Sequence, residues 1–414
     1  MNRVKVKRDI CLKPSKITRI DSEYAACISI ALFYLWQTGN LFVQKCFGGN
    51  MLLMLAMYLL LAAGIGISLL NAARTQVAYL LLSELIALIL YGLSFLYGNA
   101  QTATLFYNLI WTLVICVPIA LNIFSIRDLD RFWRLLYLLA KPMVIILCGM
   151  IFLEFHVLKT NLGGYDMPAT YALIFYCIIL CNAILEKAKI ADIIVLLLGL
   201  GFDLLRGSRG TYFCFALFVI IKILFDINSS KKKRILLMCG IGAILIGVLA
   251  IVALRMYFAN GVDSELLRFR SLTKLLSGEL FRSDARAQLY RYYTELITQK
   301  PLLGWGVAGA WINSQNYPHN FFMEVMLAIG ILPGVLVFFA MLVGMCYILR
   351  GNRTPERTLF LLYLANIFSL FISGTFLQNT SFFICVCLGI RCITCRRMQQ
   401  RAYDNVKRKE YHAL

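Results

Sequence analysis

Apolar runs of about 20 residues, the length that carries a helix across a bilayer, recur along this chain with short, often basic connections between them. That repetition decides the fold class before any motif is weighed, because in lipid a backbone must satisfy its own hydrogen bonds and a helix does so within one segment. The first run begins near Tyr24, after a stretch carrying Arg3, Lys5, Lys7, Arg8, Lys13, Lys16 and Arg19. It is too long and too late for a cleaved signal and reads as the first span. Further runs lie near 51–71, 77–98, 103–125, 133–153, 167–185, 190–205, 210–228, 235–257, 321–349, 358–373 and 376–391, twelve with the first. The expected fold class is an all-α polytopic membrane protein of about 12 transmembrane helices.

Composition agrees and removes other classes. Hydrophobic residues fill 60% of 414 positions and charged residues 15%, which excludes one large soluble core. The net charge of +20 would point to nucleic acid in a soluble protein, but here it falls in loops and sets topology, so no nucleic-acid partner is expected. Most of the fourteen cysteines, Cys116, Cys148, Cys177, Cys181 and Cys214 among them, lie in apolar segments and read as small hydrophobes. Cys392-Ile-Thr-Cys395 has a metal or redox spacing but no second pair.

Charge alternates between successive connections. Arg74, then Arg127, Arg131 and Arg134, then Lys187 and Lys189, then 231–234, then Arg350, Arg353 and Arg357 fall on one side. The tail adds Arg391, Arg396, Arg397, Arg401, Lys407, Arg408 and Lys409, whereas 98–102 and 373–380 on the other side carry no Lys or Arg. Positive-inside bias puts both termini in the cytoplasm of a plasma-membrane protein. The expected organisation is a basic cytoplasmic N-terminus over 1–23, helices 1–9 over 24–257, one long extracytoplasmic loop over 258–318, helices 10–12 over 319–391, and a basic cytoplasmic tail over 392–414.

The long loop is basic, with Arg268, Arg270, Lys274, Arg282, Arg286, Arg291 and Lys300. It is either a solvated segment balanced by Asp263, Glu265, Glu279, Asp284 and Glu295, or a surface for an anion. Ser283 as N-cap and Lys300-Pro301 with Gly304 as stop predict a helix over 284–299. Leu289, Tyr290, Tyr293, Leu296 and Ile297 form its apolar face, and Arg286 shares that face. A guanidinium there needs a partner, either phosphate, which its planar fork suits, or a carboxylate such as Glu324.

Two further stretches sit where apolar runs meet polar sequence: Arg206-Gly-Ser-Arg-Gly-Thr211 and Pro318-His-Asn-Phe-Phe-Met-Glu324. The predicted topology brings Arg209, Arg286 and His319 to one outer membrane level, and intramembrane charges of this kind default to function. Of the three histidines, His412 lies in the tail and His156 in a short loop, while His319 opens a helix, where the N-terminus favours a neutral, base-competent ring. One base and two arginines fit glycosyl transfer from a lipid pyrophosphate sugar. The clamped pyrophosphate is a good leaving group, and the acceptor hydroxyl needs only a base.

At these residues the chain resembles the O-antigen ligase and O-antigen polymerase superfamily of bacterial envelope enzymes. The resemblance rests on Gly207-Ser-Arg-Gly210 after a span, Arg286 in an R-x-x-x-Y-x-x-x-x-x-L-I helix, Pro301-Leu-Leu-Gly-Trp-Gly306, and His319-Asn320 with Glu324 and Gly330 downstream, over about 200–345. It implies a GT-C-like glycosyltransferase, working without metal or other cofactor on undecaprenyl-pyrophosphate-linked glycan. Arg209 and Arg286 would hold the pyrophosphate and His319 would activate the acceptor, a further glycan or a lipid A core. Arg206, Asn320 and Glu324 join them as substrate-binding candidates, and a chain-length regulator and a flippase as partners. Arg206 departs from the family, which often has a small or polar residue there, and Asp203 is placed to pair with it. Gly304 and Gly306 either let backbone approach a ligand or make a plain turn. Asp128-Leu-Asp130 has a metal-binding spacing, but salt bridges to Arg127 and Arg131 account for it equally well. Glu84 lies mid-span without an evident partner. The alternative class is a lipid-linked oligosaccharide flippase or secondary transporter, although those usually show two related halves and no internal repeat is visible here.

Overall fold

The computed structural model describes residues 16–96, 102–156, 167–206, 209–226, 240, 284–307, 309–311, 317–351 and 354–413. Among them, every regular element is helical. Helices α1 (Lys16–Cys46), α2 (Met51–Thr75) and α3 (Val77–Leu96) come first. A composite span follows, made of α4 (Thr102–Ile110), a π-helical stretch over Trp111–Cys116, and α5 (Val117–Ser125). Next are α6 (Leu129–His156), α7 (Met167–Glu186), α8 (Ile190–Arg206) and α9 (Arg209–Asp226). Then come α10 (Asp284–Gln299), α11 (Phe321–Ile329), α12 (Ile331–Leu349), α13 (Pro355–Ile367) and α14 (Thr380–Ala413).

Seven spans among the described residues are long and apolar enough to cross a membrane: those of α1, α2, α3, the α4–α5 composite, α6, α7 and α12. Their packing tells which of them face lipid. α7 is largely buried inside the molecule, whereas α2, α3 and α12 keep most of their residues outward. Leu52, Leu55 and Leu59, Leu81, Leu82 and Leu85, and Leu332, Leu336 and Phe339 are all exposed, an apolar rim that only hydrocarbon would cover without penalty. The molecule is a helical polytopic membrane protein. The expected ninth span at 235–257 falls outside the described residues except for Gly240, as do 258–283 of the long loop.

Two of the expected spans differ in shape. The run at 321–349 is not one helix, because Gly330 adopts φ 91° between α11 and α12. The run at 376–391 becomes a helix only at Thr380, and it continues through the basic tail to Ala413.

Polar side chains inside the apolar bundle are tied to one another across helices. Asn122 of α5 donates to Ser68 of α2 at 2.9 Å and to Ser29 of α1 at 3.2 Å, and it accepts from Asn71 of α2 at 2.8 Å. Tyr34 of α1 donates to the Tyr363 hydroxyl of α13 at 2.8 Å and stacks on Phe175 of α7. In an apolar medium such bonds choose which helices pair.

Connections assigned to one side by charge gather at one end. Arg391 donates to the carbonyls of Ile123, Ile126 and Arg127 and lies 3.8 Å from Glu356. Arg357 donates to the carbonyls of Gly351 and Phe225, and Arg131 lies 3.7 Å from Glu23. At this same end Asp128 caps α6, accepting from the amides of Asp130 and Arg131, and it faces Arg134 at 3.7 Å. Its carboxylate is therefore occupied by the helix and by an arginine.

Candidate functional site

The opposite end carries the segments singled out from the sequence. The α8–α9 turn, which holds Arg206 and Arg209, is fixed by two bonds across it. Thr211 donates to the Asp203 carboxylate at 2.6 Å and Tyr212 donates to the Leu200 carbonyl at 2.6 Å. Asp203 thus anchors the start of α9, and its expected pairing with Arg206 falls on a side chain outside the described residues. Gly210 sits where a Cβ would collide with the Tyr171 hydroxyl of α7 and come within 3.3 Å of Ile372. Only glycine lets α9 begin this close to α7. The side chains of Arg206, Arg209 and Arg286 lie outside the described residues.

α10 spans the expected residues and presents the expected face. Tyr293, Leu296 and Ile297 are buried, and Gln288, Arg291, Glu295 and Gln299 are exposed. The buried stripe packs with Leu327 of α11, Tyr91 of α3, Leu105 of α4 and Val307 in a second apolar core. Tyr293 donates to the Ala310 carbonyl at 3.0 Å. Arg286 occupies the first turn of this docked helix.

Between α10 and α11 the chain binds back on the end of α11 as a strap of turns. Trp305 and Gly306 donate their amides to the carbonyls of Leu327 and Ala328 at 2.6 and 3.1 Å, and Ile331 donates to Pro301 at 2.7 Å. Gly304, Gly306 and Gly330 all have positive φ, which glycine adopts without steric cost. A Cβ on Gly304 would lie 2.5 Å from the Leu327 carbonyl, and one on Gly306 would meet Ser94 of α3. Both glycines therefore serve backbone against backbone or side chain, rather than a ligand. The strap also explains why the span breaks: carbonyls that α12 would have taken up are held by the strap instead.

His319 is the one non-glycine residue with positive φ, 53°, among the described residues. Such a backbone is disfavoured for a side-chain-bearing residue and persists where surroundings impose it. Its ring packs against Tyr317 at 4.2 Å between centroids. Asn320 is the N-cap of α11, its side-chain oxygen accepting from Phe322 and Met323 at 3.0 and 3.4 Å. Glu324 is buried and accepts from the Thr375 hydroxyl and the Phe376 amide, so it ties α11 to the α13–α14 connection. Trp111 and Thr112 of the π-helical stretch hold the same connection through the carbonyls of Gln378 and Leu377, each at 2.9 Å. The extra backbone slack of a π turn is often found beside sites.

These pieces border one cavity of ≈ 450 Å³. Tyr317 lines it and carries His319, Thr375 lines it and holds Glu324, and Tyr171 lines it and abuts Gly210, next to Arg209. The structure thus brings the His319 segment, the start of α9 and the α13–α14 connection to one place, with α10 docked on α11 beside them. Tyr171 and Thr375 carried no sequence motif. Across the bundle, Glu84 of α3 has a buried carboxylate oxygen without a hydrogen-bond partner among the described residues.

Fold and site together define a multi-pass helical membrane protein whose candidate site residues gather at one end of the bundle, on connections between helices. Residues 194–339 match a family model described as O-antigen ligase, which supports the resemblance of this part of the chain to the O-antigen ligase and polymerase superfamily. The matched block contains Arg206, Arg209, Arg286, His319, Asn320 and Glu324. What the match supports, in general terms, is a glycosyltransferase-like bacterial membrane enzyme with a glycan or lipid-linked substrate. A search of curated proteins finds no match to the chain.

Proposed function

We propose that this chain transfers an oligosaccharide from undecaprenyl pyrophosphate to an acceptor hydroxyl outside the cytoplasm, as an O-antigen or capsular polysaccharide polymerase or an O-antigen ligase. The observation that carries the reading is the meeting of the α8–α9 turn, the His319 segment and the α13–α14 connection around a single cavity. In this reading the bundle has twelve spans, both termini are cytoplasmic, and the cavity end faces outward in the inner membrane. A lipid carrier must then bring the activated sugar.

Arg209 and Arg286 hold the diphosphate. Charge grows on it as the anomeric carbon–oxygen bond breaks, so two preplaced guanidinium groups lower the barrier without a metal ion. His319 removes the acceptor proton as its oxygen bonds to the anomeric carbon from the opposite face, which inverts that centre. Tyr317 supports the ring, and the imposed backbone at 319 fixes where it sits. Asn320 and Glu324 hold α11 and the neighbouring connection in place around that ring.

The test is a His319→Ala, Arg209→Ala and Arg286→Ala series in the full chain, assayed for glycan product with protein level measured. Each substitution is expected to lower turnover by about a hundredfold or more, the usual scale for a lost base or a lost charge donor. Full activity in all three would overturn the assignment. Movement of lipid-linked glycan across the membrane with no covalent product would favour a flippase.

A further inference from the structure

The cavity beside His319 has a second wall that the family match does not reach. One face of α1 supplies Gln37, Asn40 and Gln44, at helical spacings of three and four, together with Trp36. Trp111 and Asn366 lie on other sides. Among the described residues, none lining the cavity carries a formal charge, which sets this part of it apart from a seat for diphosphate, where arginine or lysine is needed. What it offers are amides, hydroxyls and aromatic rings. Amides both donate and accept, matching the paired hydroxyls of a sugar, and flat rings cover its C–H faces.

The polar atoms here are not all satisfied from within. Trp36 Nε1, Asn40 Oδ1 and Asn366 Oδ1 are buried without a hydrogen-bond partner among the described residues. Buried polar groups without partners are uncommon, and three around one cavity call for something to bind them. The cavity's size also falls within the roughly 300–1,000 Å³ of small-molecule sites.

We infer that this uncharged cavity between α1, α7 and the α13–α14 connection is a subsite for neutral sugar rings of the glycan, held against His319. The inference rests on the glycosyltransferase reading for its substrate class. The rings belong either to the donor beyond its first sugar or to the acceptor.

Two measurements on the full chain in detergent test it. In the first, the glycan freed by mild acid from the host's own undecaprenyl-pyrophosphate pool is titrated while tryptophan emission is read, since Trp36 and Trp111 both line the cavity. A saturable change is expected in the wild type and in His319→Ala, and none with inorganic pyrophosphate. Asn40→Ala and Asn366→Ala are expected to weaken binding about tenfold, the equivalent of one or two lost hydrogen bonds. Gln44→Ala, at the exposed rim, serves if either variant fails to fold. In the second, steady-state transfer is measured with donor and acceptor varied separately. A KM rise for the donor alone places donor sugars in the cavity, and a rise for the acceptor alone places acceptor sugars there.

If the wild type transfers glycan while all three variants keep both KM values within about twofold and emission does not respond, the subsite is overturned and the glycosyltransferase reading stands. If glycan binds as described but no transfer occurs under any condition, that reading fails and the cavity remains a sugar-binding site of another kind.

Discussion

Gly210 is the residue whose replacement is most readily predicted. Gly210→Ala would press against the Tyr171 hydroxyl, an overpacking cost of about 1–3 kcal/mol, and would displace the start of α9 with Arg209. Transfer should fall in Gly210→Ala and recover in part when Tyr171→Phe is added, because the ring carbon behind the hydroxyl lies 3.3 Å from the added methyl. Failure of that rescue would mean that glycine is required there for another reason. Gly330→Ala has no such remedy, since its φ is 91° and its neighbours are the backbone of Pro301 and Leu302. It should lower thermal stability by about 1–3 kcal/mol. The sequence reading picked out Gly210 and His319 at boundaries between apolar and polar runs, and Gly330 only through the family resemblance. It did not reveal that Asn320 caps α11 or that Glu324 binds Thr375, since Thr375 is remote in sequence. Gln37, Asn40 and Gln44 were written at helical spacing in plain view, yet three amides in an apolar span are also what a polar helix contact looks like.

Among the elements, hydropathy located helices well and their ends poorly. α10 matches its expected range because Pro301 and an alternating face define it locally. The break at Gly330 depends on a strap about thirty residues earlier along the chain, which no local pattern encodes. Polar knots between spans lead to a prediction at this scale. Asn122→Leu leaves Asn71, Ser29 and Ser68 without their shared partner and should weaken α1–α2–α5 association by about 0.6–2 kcal/mol, read as a lower midpoint in detergent unfolding with transfer retained below it. Lys141 of α6 lies 2.5 Å from Asp192 of α8, which also accepts from Tyr137 at 2.7 Å. Asp192→Ala should cost about 1.5–3 kcal/mol in the same assay, the range for bonds to charged groups.

For the molecule as a whole, charge alternation set several connections at one end, and among the described residues Arg391 is bonded there to the 126–128 connection and to Glu356, and Arg357 to Gly351. Which end faces the cytoplasm is a matter for labelling. Gln44→Cys, on the exposed rim of the cavity, should react with an impermeant maleimide in intact cells above the wild-type background, whereas Lys187→Cys should react only after permeabilisation; the reverse pattern would invert the topology. The cavity draws its walls from both α1 and the α13–α14 connection, regions more than 300 residues apart along the chain. Ribosomes deliver helices to the membrane in order, so the cavity cannot close until α14 has been threaded in. On the proposed function, a chain made only as far as Arg209 would have nowhere to seat a sugar.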